Sequence, residues 1–275
     1  MIERRSGLVF GEGRARFLAW CLWQRMRGLA LDRYSDYYRR VAHNSAGAAE
    51  WAELAELVVN QESGFFRHLP SFDALAGRVV PELAAARARQ GITALTAWSA
   101  GCADGREAYS LAMAMRSGLE AAGRSGWQVR VCGSDLCARA LARARRGRYP
   151  PSRLRTLPDA YRARFLAPVP GDPEGAWEVA ADLRAAVTFG RLNLCRAGGD
   201  GGDEGYPVGL QDVVFCQNVL IYFRPALRQR VVAELARRLR PGGYLFPAPG
   251  EVVGLELPGL SLARFDGALA YRRAG

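Results

Sequence analysis

The stretch Ala97-Trp-Ser-Ala-Gly-Cys-Ala-Asp-Gly-Arg-Glu-Ala-Tyr-Ser-Leu-Ala-Met113 decides how the chain is read. An apolar run over 93–98 has the character of a short strand. Small residues then turn the chain over 99–105, and an amphipathic helix follows from Glu107. Strand, glycine-containing turn and helix is how a doubly wound α/β sheet builds a nucleotide site. Gly101 and Gly105 let backbone approach a ligand where a Cβ would collide. The spacing is not Gly-x-Gly-x-x-Gly, so a dinucleotide is not the first expectation. Glu107 stands where that fingerprint turns an amide towards phosphate. A carboxylate there disfavours pyrophosphate and suits a cation. S-adenosylmethionine, with its ammonium and sulfonium, is a ligand of that kind. An ordinary βα turn with a solvated glutamate fits these residues equally well.

Downstream, strands and helices alternate. Strand candidates cover 93–100, 128–134, 186–192, 212–219, 243–248 and 268–272; helix candidates cover 107–122, 137–146 and 224–239. This spacing predicts a mostly parallel sheet with helices on both faces. Pro241-Gly-Gly243 reads as a stop before the fifth strand. Two stretches break the alternation. Residues 161–187 hold a hairpin candidate that turns at Gly171-Asp-Pro-Glu-Gly175, a small antiparallel insertion. Residues 197–209, rich in Gly and Asp, read as a flexible loop.

Upstream, helical spacing of apolar residues covers 14–28, 32–41 and 48–59. The connector Asn60-Gln-Glu-Ser-Gly-Phe-Phe-Arg-His-Leu-Pro70 interrupts that period. A further amphipathic helix over 71–89 has Ser71 as its expected N-cap. Domain boundaries follow: a helical N-terminal domain over 1–70, and an α/β domain over 71–275 with an insertion near 161–187.

The 275 residues suit one large domain, or one with a small appendage. The net charge of +11 comes from arginine alone, since the chain has no lysine. That balance calls for a negatively charged partner: nucleic acid, a membrane surface or an acidic protein face. Arg14, Arg16, Arg25, Arg27, Arg33, Arg39 and Arg40 are concentrated in the first helices, as solvated faces or as a docking surface. The six cysteines form no C-x-x-C pair, and the only histidines are His43 and His68, so neither a metal site nor a disulfide framework is expected. The apolar run 17–23 is too short to span a bilayer, and no small-residue cleavage site follows it. A cytoplasmic protein without membrane insertion is the expectation.

Polar residues at strand ends carry the chemistry. Asp135 closes the second strand, where an acid hydrogen-bonds ribose hydroxyls or caps the next helix. Asn193 follows the third strand and reads either as an adenine-facing amide or as a turn residue. Asn218 and Tyr222 sit in the apolar run Cys216-Gln-Asn-Val-Leu-Ile-Tyr-Phe223, at the edge where ligands bind. There is no Gly-x-Ser-x-Gly elbow and no phosphate-binding Gly-x-x-x-x-Gly-Lys. Methyl transfer to a carboxylate needs no general base, because a carboxyl with a pKa of ~4 is already ionised. Alignment supplies the rate instead.

Six motifs occur in the order found in the chemotaxis receptor methyltransferase (CheR) family. They are Glu62-Ser-Gly-Phe-Phe-Arg67, Trp98-Ser-Ala-Gly-Cys-Ala-Asp-Gly-Arg-Glu-Ala-Tyr-Ser110, Gly133-Ser-Asp135, Leu192-Asn-Leu194, Phe215-Cys-Gln-Asn-Val-Leu-Ile-Tyr-Phe223 and Leu239-Arg-Pro-Gly-Gly-Tyr-Leu-Phe246. The chain resembles that family from about Arg14 to its C-terminus. The resemblance implies a short all-helical N-terminal domain and a Rossmann-like methyltransferase domain bearing a small antiparallel β insertion. It implies S-adenosylmethionine as cofactor, S-adenosylhomocysteine as product, no metal, and methyl esterification of glutamates on chemoreceptor cytoplasmic helices or a related acidic signalling protein. Cofactor contacts implied are Gln61, Ser63, Arg67, Gly101, Glu107, Asp135, Asn193, Leu194, Gln217 and Asn218. Arg67 and Tyr222 are the implied catalytic pair, holding the substrate carboxylate. The inserted hairpin is implied to contact the receptor.

This chain departs from the family pattern. Ser63 replaces threonine, Arg106 replaces the first acid of Gly-Glu-Glu, and Gln217 replaces the arginine of Cys-Arg-Asn. Ala248-Pro-Gly-Glu251 stands for Gly-His-Ser-Glu. Gln217, Arg106 and an N-terminal domain short by at least one helix against the family pattern motivate a second reading, a non-catalytic scaffold that binds the cofactor. A nucleic-acid methyltransferase ranks last, because the chain lacks an Asn/Asp-Pro-Pro-Tyr motif.

Overall fold

The computed structural model describes residues 1–42, 45–196 and 208–275. The loop expected at 197–209 lies outside the described residues over 197–207, as does His43. The sheet has seven strands: β1 (Ala94–Ala100), β2 (Gln128–Asp135), β6 (Val187–Arg191), β7 (Gln211–Cys216), β8 (Leu239–Pro247), β9 (Leu260–Phe265) and β10 (Ala268–Arg273). Their order is β6-β2-β1-β7-β8-β10-β9, parallel up to β8 and antiparallel through β10 and β9. This is the α/β class read from the alternation.

Side-chain alternation explains the two faces. Leu95, Ala97, Val213 and Phe215 join one buried cluster, with α7 (Arg106–Ala121) and the helix ahead of β1. Trp98, Ala100, Val214 and Cys216 join the other. That second cluster takes Val231 and Leu235 of α11 (Pro225–Arg237) and the N-terminal helices α2 (Glu12–Gly28), α3 (Tyr34–Ala42) and α4 (Ser45–Val58), through Cys21, Tyr37 and Leu54. Burying two apolar faces is what a near-continuous apolar strand such as Asp212-Val-Val-Phe-Cys216 demands. No helix among the described residues is long and apolar enough to cross a membrane.

Several elements differ from expectation. A five-residue helix, α1 (Ile2–Ser6), opens the chain. The helix expected from Ser71 starts at Leu69, with His68 at the N-cap. Ser71 is not a cap; its buried hydroxyl pairs with His68 Nδ1 at 2.8 Å and accepts from Gln217 Nε2 at 3.3 Å. This helix runs as α5 (Leu69–Ala74), a π-helical segment Leu75–Val79 and α6 (Val80–Ala88). Pro81 has no N–H for the ladder, and the widened turns precede it. Pro241-Gly-Gly243 does not stop the chain before β8: that strand begins at Leu239, and the three residues bulge between the pairs Gln211–Leu239 and Val213–Tyr244. β9 was not anticipated.

The antiparallel insertion is a three-stranded sheet, β3 (Arg148–Tyr149), β5 (Trp177–Val179) and β4 (Leu166–Pro168). It starts upstream of residue 161. α8 (Ala138–Arg146) precedes it, and α9 (Asp159–Phe165) and α10 (Ala181–Ala185) flank β4 and β5.

Candidate functional site: a cleft at the carboxyl edge of the sheet

In the order β6-β2-β1-β7, the chain leaves β1 in opposite directions on its two sides. Open α/β sheets bind ligands at such a switch point, beyond the carboxyl ends of the strands. A cleft of about 670 Å³, counting its solvent-open part, lies there. Gly101 lines it after β1, Asp135 at the end of β2, Asn193 and Leu194 after β6, and Gln217, Asn218 and Tyr222 after β7. Seven of the residues singled out from sequence therefore converge.

The β1–α7 turn is held by its backbone. Gly101 and Cys102 N–H groups both donate to the Ser134 carbonyl, at 2.8 and 2.9 Å. Gly101 has φ +87°, and a Cβ built on it would lie 2.5 Å from Val219 Cγ2. Only glycine lets the two loops meet there.

Asp135 is buried, and each of its carboxylate oxygens is engaged. Oδ1 accepts the Cys137 N–H and Oδ2 the Ala103 N–H, both at 2.9 Å. It pins the turn after β1 to the start of α8, whose N-cap is Cys137. Burial pushes its pKa up, while the amides of Cys137 and Ala103 pull it down.

Glu107, in the first turn of α7, is partly buried and lies outside the cleft lining. Its Oε1 accepts from Ser99 Oγ at 2.7 Å. Burial pushes its pKa up to about 7; the Ser99 hydroxyl and Arg67 oppose this, and Glu251 adds to it. A carboxylate so poised gains from a cationic neighbour.

Other side chains are placed differently from their sequence reading. Gln61 is turned away: its amide donates to the Glu56 carbonyl at 2.9 Å, and its oxygen accepts from Arg143. Ser63 and Arg67 also lie outside the lining. Arg67 is exposed, with Nη1 3.2 Å from the Glu62 carbonyl. The adjacent Phe65 and Phe66 are buried against Tyr149 and Phe72, which fixes where Arg67 emerges. Asn193 reaches the cleft, but its Nδ2 donates to the Arg5 carbonyl at 2.7 Å and its Oδ1 accepts the Cys195 N–H. Both ends of its amide are thus engaged within the chain, one with Arg5 and one with Cys195. Arg106, in place of an acid, is buried and pairs with Asp104 at 2.9 Å.

Sequence reasoning missed several lining residues. Asn60 and Glu62 belong to the connector already singled out for its broken helical period. Ser6 and Leu8 come from the N-terminus. An isolated bridge joins Leu8 to Phe223, and the Val9 N–H donates to the Tyr222 carbonyl at 2.9 Å. Nothing in that short segment marks it as part of a site.

The arrangement fits a cationic nucleoside: two acids near the turn, apolar Leu136, Leu192 and Leu194, and a cleft of ligand size. The model of the family described as CheR methyltransferase, SAM binding domain, matches residues 61–257. The chain is 30% identical to chemotaxis protein methyltransferase 1 of Pseudomonas aeruginosa over 258 residues, 92% of this chain and 87% of that one. It is 29% identical to the chemotaxis protein methyltransferase of Salmonella typhimurium, over 91% of this chain and 81% of that one. It is also 32% identical to the "Probable biofilm formation methyltransferase WspC" of P. aeruginosa, over 99% of this chain and 60% of that one. Motif order, fold and these matches agree: the chain belongs to the CheR methyltransferase family.

Proposed function

We propose that this protein transfers the methyl group of S-adenosylmethionine to glutamate side chains of a chemoreceptor, or of a related acidic signalling protein, in the cytoplasm. When bound, the cofactor supplies an electrophilic methyl on a positively charged sulfur. Asp135 takes the ribose end, and Glu107 the ammonium. Leu194 packs on the base, and Gln217 and Asn218 form the floor. Arg67 attracts the substrate carboxylate by charge, and Tyr222 orients it by a hydrogen bond.

The observation that carries this reading is the state of Tyr222. Its phenol oxygen accepts from Asn60 Nδ2 at 2.7 Å, which leaves its own proton free for an acceptor in the cleft. A carboxylate is such an acceptor. It arrives ionised near pH 7, and the site then needs to align it rather than deprotonate it.

α2 supports an acidic helical partner. Phe17, Trp20 and Trp23 are 38%, 48% and 49% exposed, and Arg27 stacks over Trp23 at 4.9 Å. Exposed aromatics beside arginines suit a partner with both apolar and acidic groups. The domain division at residue 70 and receptor contact through β3–β5 belong to the same proposal.

Incubation with methyl-labelled cofactor and receptor cytoplasmic fragments tests it. Base-labile label released as methanol supports the ester. The neutral Gln217, hydrogen-bonded to Ser71 where the family has an arginine, favours the scaffold reading; cofactor binding without transfer to any fragment would establish that instead.

A further inference from the structure

We infer that Glu251 is a third acid serving the cofactor site, after Asp135 and Glu107, one that positions the loop 217–223 and favours a positively charged occupant over a neutral one. The inference rests on reading the cleft as the S-adenosylmethionine site.

Glu251 follows β8 and is 2% exposed. A buried carboxylate without partners is expensive, and this one is surrounded by backbone donors. Oε2 accepts the Ala248 N–H at 3.0 Å, and Oε1 accepts the Ile221 N–H at 3.3 Å. The N–H groups of Asn218 and Leu220 also favour its ionised form. Both oxygens act as acceptors, which is the arrangement of an ionised carboxylate rather than an acid.

The loop 217–223 builds one wall of the site. Gln217, Asn218, Val219, Tyr222 and Phe223 all line the cleft. Asn218 adopts φ +60°, in the left-handed region that asparagine tolerates better than most side chains. Glu251 holds the amides of the loop, and Arg228 holds its carbonyls: Nε donates to Leu220 at 3.1 Å and Nη2 to Phe223 at 3.3 Å. Arg228 Nη1 also reaches the Glu251 carbonyl at 3.4 Å.

The charge of Glu251 bears on the same place as Glu107. It makes Glu107 harder to ionise, and buried Cys216, the last residue of β7, feels both acids. Arg67 opposes them. Neither carboxylate lines the cleft itself, but two negative charges behind its wall favour a sulfonium, and a neutral thioether gains nothing from them.

S-adenosylmethionine and S-adenosylhomocysteine differ at the sulfur by one methyl and one charge, so the ratio of their affinities reads this role. Calorimetry on the full chain is done for both ligands with the native protein and Glu251→Gln, with Glu251→Met as a second neutral variant should the first not fold. Circular dichroism reports the fold. Both ligands are expected to weaken as the loop loosens, with S-adenosylmethionine losing about tenfold more than S-adenosylhomocysteine. Equal losses would make Glu251 a strut only and overturn the inference. A native protein that binds neither ligand is a separate result, and overturns the cofactor reading beneath it.

Discussion

Asn60 and Tyr222 lie 162 positions apart in sequence, yet Asn60 Nδ2 donates to the Tyr222 phenol at 2.7 Å. The guanidinium of Arg14 stacks on the same ring at 5.1 Å. The phenol is thus fixed by the connector on one side and by α2 on the other. Tyr222→Phe keeps the ring and its packing and loses the hydroxyl. Its turnover is expected to fall about 10- to 100-fold, the worth of one hydrogen bond to a charged group. Cofactor affinity by calorimetry is expected to stay within about twofold, since the ring and its packing are kept. Asn60→Ala is expected to fall less, because it frees the hydroxyl without removing it. A Tyr222→Phe enzyme with native turnover sinks the assignment.

The Glu107 carboxyl gives a pH dependence with a definite sign. Its pKa in the folded protein is about 7, above its ordinary 4.5. Between those values the folded state holds a proton that the unfolded state has released. Stability without ligand therefore falls as pH rises from about 4.5 to 7. Asp135 and Glu251, also raised by burial, act in the same direction. Binding of a cation runs the other way, because it wants the ionised form, and strengthens as pH rises through 7. Thermal unfolding and cofactor titration at pH 5.5, 7 and 8.5 check both. Glu107→Gln is expected to flatten its share of each curve. A cofactor affinity that is the same at the three values contradicts the role given to Glu107.

Asp135 joins two turns, so its removal has two consequences. Asp135→Ala leaves the buried amides of Ala103 and Cys137 without acceptors, at a cost of about 1–3 kcal/mol for each unsatisfied group. It also removes the acid expected to take the ribose. Cofactor affinity is expected to drop at least tenfold, with a lower melting temperature. A native affinity by calorimetry places the ribose elsewhere.

What was legible in the sequence was whatever local chemistry determines. The β1–α7 turn announces itself because glycine, small residues and a following amphipathic helix are all local. So do Asp135 and Gln217–Asn218, which close apolar strands. Ser71 was misread because a serine ahead of a helical period looks like a cap; the helix instead begins two residues earlier, and the hydroxyl faces Gln217. β9 was missed because its partner β10 is what makes a strand of Leu260-Ser-Leu-Ala-Arg-Phe. Leu8 and Ser6 line the cleft only because the chain's first residues fold back onto 222 and 223. Glu251 stood in a quoted motif, but only its Ala248 partner is local; Ile221 comes from the loop after another strand. Contacts set by tertiary pairing leave no periodic signature.

Gly101→Ala tests how tightly the two loops of the site depend on each other. The added Cβ meets two independent obstacles. The backbone there has φ +87°, which costs an alanine about 1–2 kcal/mol. The new methyl also lies 2.5 Å from Val219 Cγ2, too close for either to stay. Val219 precedes the 3₁₀ turn Leu220–Tyr222, so relief of the clash displaces the segment that carries Tyr222. The expected result is a stability loss of about 2–4 kcal/mol, the left-handed cost plus overpacking, with weaker cofactor binding and slower turnover. A double variant, Gly101→Ala with Val219→Ala, removes the steric part and leaves the backbone part. It is expected to regain some cofactor affinity while staying less stable than the native protein, as denaturant unfolding and calorimetry will measure. If the second substitution restores nothing, the defect of the first lies in the backbone of the turn alone, and the contact between the β1 and β7 loops does not shape the cleft.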